Sequence, residues 1–456
     1  MTDPRPPMPK HRAGKVGLWA YMRLFRRDIL SAQPAKLYRA WMAEFKTPFF
    51  KSYMVNQPDL VKTVLHERPM EFPKSTRVNE GLRPLLGESV FLTNGAQWER
   101  QRRIIDPAFE GGKIKETYPA MVAAIDAAVA RLTADLGDGP VEVEEVASFA
   151  AADIIFRTLF SIPIDDEIAA ETFQEFRRYQ RSQPVLNIAA LVPLPRWVPR
   201  GFSKETRDSA AKIRMLIKRL TDRRAAQIAA GTAPMDLATK IMTTPDPETG
   251  ELFSADEMVD QVAIFFLAGH ETSASTFAWG LYLLALYPDW QTKIAAEGAT
   301  LSGIEFGQVR SLTITRDVFR EALRLYPPVP MMVRQATQTE GFRDRVLKRG
   351  AQIVLSPWHL HRHERLWDKP HDFDPTRWHT ENGKQCQRNA YIPFSAGRRV
   401  CVGAGFATVE GALLLAKFCA AFQFETLPDC VPEPVAHLTV RAKDGIWLKV
   451  QPRPGN

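Results

Sequence analysis

Phe394-Ser395-Ala396-Gly397-Arg398-Arg399-Val400-Cys401-Val402-Gly403 is the stretch on which the reading of this chain turns. It sets a cysteine on a glycine-rich turn just ahead of a long apolar run, Phe406 to Phe422, that reads as a helix. A thiol there lies close to unsatisfied backbone N–H groups and the positive end of the helix dipole, which lower its pKa and hold a thiolate. Gly397 and Gly403 would let the backbone approach a flat ligand closely. A lone cysteine is usually a plain buried residue, but the spacing F-x-x-G-x-R-x-C-x-G arises by chance on the order of once in 10⁴ chains of average usage.

The other cysteines, Cys386, Cys419 and Cys430, fit no paired metal or redox spacing and are too few for a disulfide framework. A reducing cytoplasm is the expected location. With 456 residues, 45% apolar, 10 Trp and 26 Phe, the chain can bury a large core, and a disordered, collagen-like or coiled-coil reading is excluded. Length alone suggests about three domains.

The net charge of +8 would fit a nucleic-acid partner only if it were spread over the body. It is not. Residues 1–46 hold ten basic and three acidic side chains, which leaves the remainder nearly neutral, so no nucleic acid is expected. Within this basic N-terminal segment, Trp19, Met22, Phe25 and Ile29 recur among Arg23, Arg26 and Arg27. Such a stretch could lie on an anionic membrane surface at the inner face, or form a solvated arm. No secretion signal is recognised, and no apolar run is read as long enough, at ~18 residues, to span a bilayer.

Working outward, helical periodicity covers roughly 96–109, 113–135, 147–161, 165–181 and 204–230, with an apolar loop from Pro184 to Pro199. Ser254-Ala255-Asp256-Glu257 is a capping box and Tyr287-Pro288 a stop. The helix between them, at 1.5 Å per residue, would run ~48 Å. It is apolar on nearly all sides and belongs in the centre of a large domain. Strand signals are confined to Phe49 to Val55, Met332 to Ala336, Val346 to Leu355 and Ile446 to Val450, too few for a central parallel sheet. No G-x-G-x-x-G follows a strand and no phosphate-binding loop occurs.

Four further motifs stand in order. Trp98-Glu99-Arg100-Gln101-Arg102 puts Trp98 and Arg102 on one helix face. Ala268-Gly269-His270-Glu271-Thr272-Ser273 sets an acid and an alcohol in an otherwise apolar helix, where both are costly unless used, and where a kink is expected at the glycine. Glu321-Ala322-Leu323-Arg324 pairs an acid and a base at i, i+3. Phe373-Asp374-Pro375-Thr376-Arg377-Trp378 follows.

In this order and with the cysteine loop, these motifs resemble those of the cytochrome P450 family over nearly the whole chain. The resemblance implies a mainly α fold with a small β region, one domain over 47–456 enclosing haem b. It makes Cys401 the iron ligand, with Phe394, Gly397, Gly403 and Ala268 about the haem. Arg399, Arg102, Trp98 and, less directly, Arg334 would meet its propionates. Glu321, Arg324 and Arg377 would form a buried structural network. Thr272 would hydrogen-bond dioxygen while Glu271 relays protons through water.

The implied function is monooxygenation, one atom of O2 entering a hydrophobic organic substrate such as a fatty acid, alkane, terpenoid or aromatic. Phe91, Phe265, Ala268, Val329, Met331 and Met332 are the pocket candidates. With no flavin or iron–sulfur module following Cys401, electrons from NAD(P)H are expected through a ferredoxin and its reductase, serving a monomer. A peroxygenase or a haem-thiolate isomerase or dehydratase would use the same scaffold, and a non-catalytic haem sensor is the alternative of another class. His359, His361 and His363 alternate, but their context resembles the family's connecting segment, so no metal site is expected there.

Overall fold

The computed structural model describes residues 5–12, 14–46, 50–182, 202–301, 303 and 305–453. The apolar stretch Pro184 to Pro199 lies outside the described residues. Among the described residues, helices of ten residues or more are α1 (Leu18–Arg27), α2 (Thr76–Leu86), α3 (Gly95–Phe109), α4 (Gly111–Asp135), α5 (Val143–Phe160) and α6 (Glu167–Ser182). They continue with α7 (Lys204–Ala229), α8 (Ala255–Leu286), α9 (Pro288–Ala299), α10 (Thr313–Leu325) and α11 (Ala404–Ala421).

The capping box forms at the head of α8: the Ser254 amide donates to Glu257 at 2.9 Å and the Glu257 amide to Ser254 Oγ at 3.3 Å. Pro288 ends the helix and opens α9. Helix α8 is helical throughout Ala268–Ser273. Gly269 makes room for Ile155 of α5, whose Cδ1 fills the space a Cβ would occupy.

A four-stranded sheet has the order β1-β2-β7-β4, from β1 (Met42–Lys46), β2 (Lys51–Val55), β7 (Gln352–Leu355) and β4 (Met332–Gln335). Strands β2 and β7 run parallel and the other neighbours antiparallel. The β1–β2 register runs from Met42 opposite Val55 to Lys46 opposite Lys51. Val346 to Leu355 is not one strand. Gly350, at φ +87°, turns the chain, and β6 (Arg345–Leu347) pairs with β5 (Glu340–Phe342) in a separate hairpin. Three short strands, β3 (Val141–Glu142), β8 (Phe422–Thr426) and β11 (Trp447–Pro452), form another sheet, and β9 (Pro434–Ala436) pairs with β10 (Val440–Ala442).

The chain divides into two compact units, 1–72 with 125–149 and 272–456, and 73–124 with 150–271. In the first, α11 is the hub. A Cβ at Gly298 of α9 would strike the Ala416 carbonyl, and one at Gly411 would strike Phe319 of α10. Phe277 of α8 meets Phe418 edge-on at 4.9 Å. By length and composition α11 could cross a membrane, which the sequence reading did not anticipate, but most of it is buried in this core.

The N-terminal segment belongs to the same unit. The Tyr326 hydroxyl donates to the Pro7 carbonyl at 2.9 Å, and the Ala436 amide donates to Asp28 at 2.7 Å. Met22, Phe25 and Ile29 are half-buried, whereas Trp19 is 86% exposed beside the exposed Arg23, Arg26 and Arg27. The second unit gathers around Phe266 of α8, which meets Phe156 at 4.5 Å and Phe176 at 5.8 Å.

Candidate functional site

The loop ahead of α11 is held by its own backbone. The Cys401 amide donates to the Phe394 carbonyl at 2.9 Å, the Val400 amide to Gly397 at 3.0 Å, and the Ala404 amide to the Cys401 carbonyl at 3.3 Å. Ser395 and Gly397 adopt positive φ. At Gly397 the glycine is required by the chain itself, because a Cβ would strike the Leu65 carbonyl, while at Gly403 the nearest atom to a built Cβ is Cys401 Sγ at 4.0 Å.

Cys401 is exposed at the N-terminal end of α11, where the dipole favours a thiolate. Burial pushes the thiols of Cys386 and Cys419 up to about 11 and about 12, so both stay protonated. Cys430 is exposed in the loop after β8, away from a helix start.

Two arginines are buried together in this unit. Arg399 precedes the cysteine by two residues, and Arg334 lies on β4 opposite Ile353 of β7. Burial, aided by the positive charge of Arg399, pushes the Arg334 guanidinium down to about 10. Its Nε meets no hydrogen-bond acceptor among the described residues. A buried cation calls for an anion beside it.

Glu321, Arg324 and Arg377 form one buried network. Arg324 donates twice to Glu321 at 2.8 Å, and Arg377 Nε donates to the same carboxylate at 3.0 Å. The remaining guanidinium N–H groups go to carbonyls of His361, Asp368, Lys369, Pro370 and Asp372. This network clamps the segment 361–374 onto α10.

His361 carries the clamp onward. Its Nε2 accepts the Ile392 amide at 2.8 Å, two residues before Phe394, which makes Nδ1 the protonated nitrogen. Burial, with Arg324 and Arg362 nearby, holds its pKa well below the ordinary value. The sequence reading missed this role. The three histidines do not converge: His359 bonds Ser356 Oγ at 2.8 Å, and His363 stacks on Trp41 at 4.3 Å. Among the described residues no metal-binding group of three is found.

In the second unit, α3 carries Trp98, buried, with the Arg102 guanidinium 5.8 Å above its ring. Arg102 Nε is already engaged by Asp106 at 2.6 Å. On α8, Ala268 is exposed and Phe265 half-buried between buried neighbours, and Glu271 is buried. Thr272 begins the first unit's share of the helix, half-buried, its carbonyl accepting from Thr276 at 2.9 Å. The pocket candidates divide: Phe91, 44% exposed, Phe265 and Ala268 in the second unit, and half-buried Val329, Met331 and Met332 in the first. Ser273 donates to the buried Glu410 at 2.7 Å, a contact that a lone acid in the apolar run after Cys401 could have signalled.

An iron porphyrin needs an anionic axial donor and cationic partners for its two carboxylates. The exposed thiol at a helix start and the Arg334–Arg399 pair meet those needs.

Comparison with known proteins gives the family. The family model described as Cytochrome P450 matches residues 33–450. Cyclooctat-9-en-7-ol 5-monooxygenase of Streptomyces melanosporofaciens is 31% identical over 91% of this chain and 89% of its own. Cyclooctatin synthase of the same organism is 30% identical over 86% and 84%. A cytokinin hydroxylase of Arabidopsis thaliana is 27% identical over 87% and 78%. The crystal structure of the cytochrome P450DA heme domain superposes with a TM-score of 0.78 at 24% identity, covering 99% of this chain and 98% of that one, which shows the fold. With its mainly helical fold, its small sheets and its cysteine loop, the chain belongs to the cytochrome P450 family and is a haem-dependent monooxygenase.

Proposed function

We propose that Cys401 ligates the haem iron, that Arg334 and Arg399 hold the propionates, and that Glu271 and Thr272 manage protons during hydroxylation of a hydrophobic substrate. The burial of Arg334, whose guanidinium feels the positive charge of Arg399 and whose Nε meets no acceptor among the described residues, supports the assignment, since a buried cation calls for an anion. Haem b, when bound, supplies the reductive activation of dioxygen and the transfer of one oxygen atom into the substrate. Arg102 takes a secondary place because Asp106 already occupies part of its fork. Glu271 is a buried acid that directly precedes Thr272 in the sequence, residue types suited to passing a proton inward.

Electrons reach the site from NAD(P)H through a ferredoxin and its reductase, and the enzyme acts as a cytoplasmic monomer. Helix α1 touches the inner membrane face: Trp19 at 86% exposure, ringed by Arg23, Arg26 and Arg27, suits an anionic lipid surface.

The test combines haem occupancy with coupling. Arg334→Ala and Arg399→Ala should lower the haem-to-protein ratio, and full occupancy in both would remove them from the propionate site. The reduced carbonyl spectrum should report thiolate ligation. Thr272→Ala should divert NAD(P)H consumption from product to peroxide, and unchanged coupling would sink its assignment.

A further inference from the structure

We propose that Arg362 is the binding group of an enclosed halide site, on which none of the haem assignments depends. Arg362 follows His361 in the clamped segment and is wholly buried, and none of its three guanidinium nitrogens meets a hydrogen-bond acceptor among the described residues. Two other arginines of the same region show what the fold otherwise provides. Arg324 is as deeply buried, yet its N–H groups reach Glu321 and the carbonyls of His361, Pro370 and Asp372. Arg377 is likewise satisfied by Glu321 and the carbonyls of Asp368, Lys369 and Asp372.

What surrounds Arg362 is aromatic. Its guanidinium carbon lies 3.9 Å from the centre of the Trp358 ring and 5.4 Å from that of Tyr326. Ring faces return only part of the hydration that a buried cation loses, and they leave its N–H edges unpaired. The hydroxyls of these rings' neighbours are committed: Tyr38 takes the Trp358 N–H at 2.6 Å, and Tyr326 donates to the Pro7 carbonyl at 2.9 Å. Glu321 is held by Arg324 and Arg377, and Glu364 pairs with Arg39 at 3.3 Å. Burial pushes Arg362 down to about 10, which still leaves it charged at pH 7. Burial, with this charge adding to it, also lowers His11, His359 and His371.

Five N–H donors in one plane, closed from solvent and walled by ring carbon, suit a small monovalent anion with little hydration to lose. A water molecule could accept these N–H groups but would leave the charge unbalanced. A halide does both. The N-terminal segment passes over the same rings, with Pro7 bound to Tyr326 and His11 5.3 Å from Tyr38. A halide on Arg362 would thus neutralise the seam that joins residues 7–11 to the segment 358–362.

The full-length, haem-loaded protein is heated in sodium chloride and in sodium gluconate at one ionic strength. The natural protein should unfold at a temperature that rises with chloride, by roughly 1–2 °C per tenfold above the dissociation constant. Arg349→Met, which removes an exposed arginine, should keep this dependence, and Arg362→Met should lose it. No chloride dependence in the natural protein would overturn the proposal, as would an equal dependence in Arg362→Met. Crystals of the natural protein grown in sodium bromide supply a measurement that needs no variant to fold. An anomalous-scattering peak is expected against the Arg362 guanidinium, and an ordered water in its place would overturn the site.

Discussion

At the scale of single residues, motifs name which side chains matter, and geometry sorts what they touch. Glu321 and Arg324 could have been a surface i, i+3 pair worth a few tenths of a kcal/mol. With neither exposed to solvent, and with Arg377 on the same carboxylate, they are instead a desolvated network. Removing one partner leaves the others buried and uncompensated. Glu321→Ala should therefore destabilise the fold by about 3–5 kcal/mol in urea unfolding, and a loss under about 1 kcal/mol would mean the network is solvated. His361 was illegible beforehand because its work is done by one ring nitrogen toward a backbone amide far along the chain. No spacing rule encodes such a contact.

At the scale of elements, the helix boundaries followed from caps and periodicity, while the reasons for particular glycines did not. Gly269 leaves room for Ile155, and Gly397 leaves room for the Leu65 carbonyl. A missing Cβ means close approach without saying to what. One such approach between helices is to backbone: Gly298 of α9 faces the Ala416 carbonyl of α11. Backbone cannot swing aside as a side chain can. Gly298→Ala should cost about 1–3 kcal/mol by forcing the two helices apart. Gly307→Ala, which meets nothing within 4 Å, is the control. Equal stability of both variants would show that the seam yields.

At the scale of the whole molecule, buried titratable groups of two kinds set the pH of greatest stability. Burial lowers His359 to about 3 and His363 to about 4, and holds His361 well below 6.5. The unfolded chain therefore binds extra protons below pH 6.5, and stability falls as the medium is acidified. Burial raises Glu144 to about 7 and Glu410 to about 8, so the folded chain keeps protons that the unfolded chain releases above about pH 4.5. Their contribution is lost as pH rises through 7 and 8. The opposing slopes place the maximum near pH ~6. Urea midpoints across pH 5 to 9 should peak there, and Glu410→Gln should flatten the alkaline fall. A maximum above pH 8 would contradict both sets.

The sequence by itself determined the family and the reaction class, because those depend on local order: a cysteine on a turn, a helix after it, an acid beside an alcohol in an apolar run. It also carried the long helices, whose caps and periodicity act within a few residues. Tertiary structure alone decided that Arg334 and Arg399 are buried as a pair, that His361 links the Glu321 network to the cysteine loop, and that Glu410 answers Ser273. These join positions separated by many residues, and their energetics come from lost water. Desolvation belongs to the folded surroundings of a group, not to its neighbours in the chain.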